Sequence, residues 1–166
     1  MNETDTVSVV CFVILATVNY VLKLDSTGNF LWAKKFQNNI FASGGGRIAI
    51  NKKNEIFYTT PFMDSIDADP SASVFYLTTQ TAGTENTLLA KLKPSGSLSW
   101  AKTLFGGYNQ VKEFTLIDSN TILLTGNFRG TIDFDPRSSS VSSLNSGTAT
   151  NSFVSVFYRS ILFCCG

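Results

Sequence analysis

The chain has no histidine among its 166 residues. This excludes Ser-His and Cys-His nucleophilic pairs and every zinc site that contains histidine. Cysteine is scarce: Cys11, Cys164 and Cys165 are an odd number, sit at the two extremes and lack a CxxC spacing. They form neither a disulfide framework nor a metal knuckle, and the Cys164-Cys165 doublet reads as incidental rather than redox-active. Charged residues make up only 15%, and the net charge of +1 comes from scattered Lys and Arg. Without a basic stripe, nucleic acid is excluded as a partner. A sustained 3.6-residue hydrophobic period is missing too, which argues against helices. With 43% hydrophobic residues, the chain is too apolar for disorder and long enough for one domain with a core.

What the chain does have is a repeat. Lys23, Leu24, Gly28, Trp32, Ala33 and Lys34 return 68 positions later as Lys91, Leu92, Gly96, Trp100, Ala101 and Lys102. Asn54, Ile56, Thr59, Phe62, Ile66, Asp67, Asp69 and Pro70 return 66 positions later as Asn120, Ile122, Thr125, Phe128, Ile132, Asp133, Asp135 and Pro136. The two-residue difference falls after each tryptophan, Gln37 to Gly46 against Gly106 to Lys112, and reads as a loop of variable length. A repeat of this size implies units that leave apolar surface for a neighbouring copy to bury.

Each unit carries strand and turn signals. Ile48 to Ile50 and Ile56 to Thr60 flank the polar turn Asn51 to Asn54, and Phe114 to Ile117 and Ile122 to Thr125 repeat that hairpin. The Asp-x-Asp-Pro motif precedes a Ser/Thr/Gly-rich stretch, with room for a short strand near Val74 to Leu77. Leu88 to Leu92 and Leu98 to Lys102 then enclose Lys93-Pro94-Ser95-Gly96, a tight turn in which glycine accepts positive φ. The expected fold is all-β, with about four antiparallel strands per unit, the size of a propeller blade. Roughly two blades are present, an incomplete propeller.

Residues 1–18 depart from the pattern. Thr6 to Leu22 is uncharged and rich in β-branched residues, which favours a strand pair. An export or anchor segment is the alternative, although the start is acidic and Asn19 interrupts the run. Membrane contact follows only if this segment is an anchor. Residues 19–157 form the repeat region, and 158–166 an atypical tail.

The motifs Gly-Asn-Phe-Leu-Trp-Ala-Lys at 28–34 and Thr-Gly-Asn-Phe-Arg-Gly-Thr-Ile-Asp-Phe-Asp-Pro at 125–136 resemble the propeller repeats of secreted bacterial surface proteins, called SBBP-type. The resemblance covers roughly Asn19 to Phe157. It implies an extracellular or cell-surface propeller of binding or structural role, and a fragment or shortened relative of a larger one. The middle copy departs from the pattern with Thr60-Pro61-Phe62-Met63-Asp64 where Gly-Asn-Phe-Arg-Gly stands later. The tail lacks the Gly-x-x-x-Trp that the pattern would place after Phe157.

Three constellations are candidates for function. Gly28 with Trp32 and Gly96 with Trp100 share a Gly-x-x-x-Trp spacing that resembles the docking motif of quinoprotein propellers; the expected role is packing between blades rather than quinone binding. Asp67 with Asp69 and Asp133 with Asp135 are carboxylates two apart, which point to one face of an extended strand. They suit turn capping or, alternatively, a calcium site built on hard oxygen donors with help from Asn127. Catalysis by such a pair would need a sugar cleft. Gly44-Gly45-Gly46 is not a phosphate loop, because no Lys-Ser/Thr follows.

The expected function is a non-catalytic module without a cofactor. Its partners would be further blades, another copy of itself, or an extracellular protein or glycan. The alternatives are a carbohydrate-binding or enzyme-accessory propeller and a calcium-stabilised adhesion segment.

Overall fold

The structure, a computed structural model, describes residues 9–14, 18–40, 46–135, 141–158 and 161–165. Strands and turns account for them, and all strand pairing is antiparallel. The first set of strands comprises β1 (Val9–Ile14), β2 (Val18–Leu24) and β3 (Phe30–Ile40). The middle set comprises β4 (Arg47–Ile50), β5 (Ile56–Asp67), β6 (Tyr76–Thr78), β7 (Glu85–Leu92) and β8 (Leu98–Thr103). The C-terminal set comprises β9 (Phe105–Leu116), β10 (Thr121–Asp133), β11 (Ser143–Asn145), β12 (Asn151–Tyr158) and β13 (Ile161–Cys165). The apolar N-terminal run thus contributes strands, β1 pairing with β2 from Val9↔Lys23 to Ile14↔Val18. No helix among the described residues is long and apolar enough to cross a membrane.

The later two sets are built alike. β4-β5-β7-β8 and β9-β10-β12-β13 are meanders, and short β6 and β11 pair with the far ends of β5 and β10. Ile56 lies opposite Leu92 as Ile122 lies opposite Phe157, and Ile66 opposite Leu77 as Ile132 opposite Leu144. The sequence repeat is therefore a repeat of strand register. β13 pairs with β12 as β8 pairs with β7, so the atypical tail still supplies a returning strand.

Gly106 to Lys112, expected as a loop, instead lies within β9. Its glycines meet a crowded backbone: a Cβ on Gly106 would sit 2.1 Å from the Thr131 carbonyl oxygen, and one on Gly107 would sit 2.3 Å from that of Arg129. Only residues without a side chain let β9 pass β10 at this distance. The equivalent pairing in the middle set comes from the end of β3, where Asn38 faces Ile66 and Ile40 faces Met63. Gly44 and Gly45 lie outside the described residues. Gly46 is close-packed, since a Cβ there would lie 2.3 Å from the Tyr58 ring.

The period-two alternation of strands sends neighbouring residues to opposite cores. Ile56, Tyr58, Leu88, Ala90 and Leu92 join Val21 and Phe36 of the first set, where Phe36 stacks on Tyr58 with centroids 4.9 Å apart. Phe57 and Leu89 face the other way, into a core with Ile122, Leu124, Phe128, Phe134, Phe153 and Phe157. The middle sheet is covered on both faces. By contrast β12 alternates buried and exposed residues, with Phe153, Ser155 and Phe157 inward.

Candidate functional site

A cleft of about 670 Å³ opens where the middle and C-terminal sets meet, lined by Met63, Thr84, Glu85, Tyr108, Arg129 and Thr148 among others. The Gly106-Gly107 approach positions it. A register shift between Arg129 and Ile132 re-aims the strand, and Arg129 lies directly opposite Tyr108. Across the cleft, Glu85 opens β7 opposite Met63. The connection before β7 is held by Asp64, whose carboxylate accepts the Gly83 amide at 2.8 Å. Asp64 has φ +56° and stands at the repeat position of Gly130, with φ +82°. The middle copy's degraded motif thus keeps the same left-handed turn, using a residue type that tolerates it.

The chemistry of the cleft is mixed. Glu85 is buried and Arg129 exposed. Burial pushes the Tyr108 phenol above its ordinary range, the Glu85 charge adds to this, and Arg129 opposes it. The phenol therefore stays protonated at neutral pH and serves as a hydrogen-bond donor and acceptor. Arg129 offers planar donors, Glu85 an acceptor, and Thr81, Thr84 and Thr148 hydroxyls. The set suits a neutral ligand rich in hydroxyls.

Next to the cleft a buried polar seam joins the two sets. Asn86 donates through its side chain to the Gly107 carbonyl at 2.8 Å. Thr87 donates its amide to Asn109 Oδ1 at 3.0 Å, and Asn109 Nδ2 reaches the Leu104 carbonyl at 3.1 Å.

The tryptophans occupy matching positions. Trp32 lies opposite Lys23 and Trp100 opposite Lys91, each on the side of its sheet that faces the following set. Trp32 donates its indole N–H to the Pro94 carbonyl at 3.3 Å, and Lys23 Nζ bonds the same oxygen at 2.8 Å. Burial lowers the Lys23 pKa. Trp100 meets the edge of Phe57 with centroids 6.3 Å apart. Lys91 lies above that Phe57 ring and pairs with Glu55 at 2.8 Å. For Glu55, burial acts upward, but the bonds from Lys91 and Asn51 outweigh it and the carboxyl is lowered.

Gly28 and Gly96 hold the same turn position with φ +88° and +83°. Gly28 is open to solvent, whereas a Cβ on Gly96 would lie 2.7 Å from Lys34 Cε and 3.1 Å from Trp32. The turn of the middle set is therefore pressed against the first set's tryptophan.

Asp67 and Asp133 close β5 and β10, and Asp69 and Asp135 follow just beyond the strand ends. Asp67 Oδ1 accepts the amides of Asp69 at 3.1 Å and Phe75 at 3.0 Å, while Asp69 Oδ1 accepts that of Ser71 at 2.9 Å. Asp133 Oδ1 accepts the amides of Asp135 and Ser142, both at 2.9 Å. Asp135 is buried. In both sets the first aspartate ties the two ends of the loop together, as a turn cap does. Pro136 lies outside the described residues. Among the described residues no group of three or more His, Cys, Asp or Glu comes together to hold a metal.

Glu85, Tyr108 and Arg129 were not singled out by sequence reasoning. The one signal available was Arg129, a charged residue framed by glycines inside a repeat motif. Compared with protein-family models, curated proteins and solved structures, the chain matches none.

Proposed function

We propose that the chain is a non-catalytic, propeller-type repeat module of the SBBP kind, acting at the cell surface or outside the cell as a scaffold with a binding role. The observation that carries this reading is the recurrence of one strand register in two successive sets packed face to face. The matching placement of Trp32 and Trp100 supports it, because each indole faces the set that follows. In this reading β4–β8 and β9–β13 are successive blades, and β1–β3 belong to a preceding one. The extracellular setting rests on the motif resemblance.

Trp32→Ala tests the stacking. Removing a half-buried indole that bridges two sets should cost ~2–3 kcal/mol and lower the Tm. An unchanged Tm would show that the indole does not join the blades.

The cleft favours a glycan as ligand, because it combines a buried carboxylate, a guanidinium, a phenol and threonine hydroxyls at a junction between sets. Saccharide titrations followed by amide chemical shifts should move Tyr108, Arg129 and Thr148, and Arg129→Ala should abolish the response. Shifts confined to other surfaces would remove the cleft from the binding role.

A further inference from the structure

We propose that the outward face of the C-terminal sheet docks the outward face of the first sheet of a second copy of this chain, head to tail. This rests on the stacked-set reading above. Leu123 and Val154 take the repeat positions of Phe57 and Leu89, which are only 1% and 4% exposed because the C-terminal set covers them. Among the described residues no further sheet is seated on the C-terminal counterparts: Val154 is 49% exposed and Leu123 half-buried. Val156, opposite Leu123, takes the position of Lys91 and so replaces a charge with an apolar side chain. Leu123, Val154 and Val156 thus form an apolar surface at the site where an adjoining sheet is seated one repeat earlier.

The other end of the chain offers the matching surface. In β2, Leu22 takes the position of Ala90, and in β3, Ala33 takes that of Ala101; the two lie opposite each other in both sets. Ala90 and Ala101 are buried under the first set, at 0% and 6% exposure, whereas Ala33 is exposed. Leu22, Ala33 and the neighbouring Tyr20 therefore present the face that in the middle set receives the preceding sheet. A second copy seated there continues, between chains, the contact already made twice within one chain. Because the two faces differ, the association is heterologous, extending from chain to chain until geometry closes it.

The test is the mass of the full chain by sedimentation and light scattering across a wide concentration range, with Val154→Glu and Ala33→Glu. Both substitutions lie at exposed positions, and circular dichroism and Tm check the fold. The wild type should show a mass at least twice the monomer's, and each variant alone should lose association. Mixed together, the variants should form one heterodimer, because each keeps the face the other lacks. A monomeric wild type would overturn the proposal, and so would variants that still associate or fail to rescue each other. Should Val154→Glu not fold, Val156→Lys takes its place. A monomeric wild type in which Trp32→Ala still lowers the Tm would reject docking between chains while leaving stacking within the chain intact.

Discussion

Thr87 and Asn109 hold each other across the junction between the middle and C-terminal sheets. The Thr87 amide reaches Asn109 Oδ1 at 3.0 Å, and the Thr87 hydroxyl accepts the Val111 amide at 3.2 Å. Both residues are buried, so no water replaces a lost partner. Asn109→Leu strands the Thr87 amide and the Leu104 carbonyl, a loss of ~2–4 kcal/mol. Denaturant unfolding should show a lower midpoint, whereas Asn127→Leu, half-buried on β10, should change it little.

Gly28 and Gly96 share a conformation and differ in surroundings, which separates backbone strain from crowding. Gly28→Ala should cost ~1–2 kcal/mol for the left-handed backbone alone. Gly96→Ala adds the contact with Lys34 and Trp32, so it should cost ~1–3 kcal/mol more. Equal losses in thermal melts would show that the turn does not press on the tryptophan.

Asp25 is an exposed cap with strongly favoured ionisation. Hydrogen bonds from the Asn29 and Thr27 side chains, with the amides of the same residues, lower its carboxyl to about 2. Its folded value lies below the ordinary one of 3.8, so its contribution to stability is present above pH 3.8 and is lost as pH falls toward 2. Carboxyl carbon NMR should place the Asp25 midpoint near 2, and Asn29→Ala should raise it.

Asp133 bridges two amides of one loop, and this capping role needs no metal. Asp133→Ala should cost ~1–2 kcal/mol by releasing those amides. Calcium or EDTA should leave the wild-type Tm unchanged; a rise with calcium that Asp133→Ala abolishes would make these aspartates ligands.

Gly126 stands where the middle copy has Thr60, yet it has no room for a side chain. A Cβ there would sit 2.2 Å from the Gln110 carbonyl oxygen and 2.8 Å from the Phe153 ring. Gly126→Ala should therefore cost ~2–4 kcal/mol in chemical unfolding, even though its repeat partner carries a larger residue.

The parts of the fold legible in the sequence were those set by neighbours along the chain. Ile48–Ile50 with Ile56–Thr60, and Leu88–Leu92 with Leu98–Lys102, pair across short turns. Alternation and turn chemistry suffice for such hairpins. Gly106 to Lys112 reads as a loop because paired glycines ordinarily interrupt strands; here they admit the β10 backbone, a partner that local pattern does not reveal. The cleft was illegible for a related reason. Glu85 belongs to the middle set while Tyr108 and Arg129 belong to the next, and only packing between sheets brings them together. The aspartate motif was visible, but the amides it caps include ones as distant as Phe75 and Ser142, which local pattern does not reveal.

Burial of the middle sheet on both faces has a consequence for how the molecule comes apart. Ile56 and Phe57 are adjacent yet belong to different cores, so melting β5 uncovers both neighbouring sheets at once. Loss of structure should then start at the outer sheets and reach this one last, and its amides should exchange most slowly with solvent. The most durable stretch of the chain is thus its interior rather than either end.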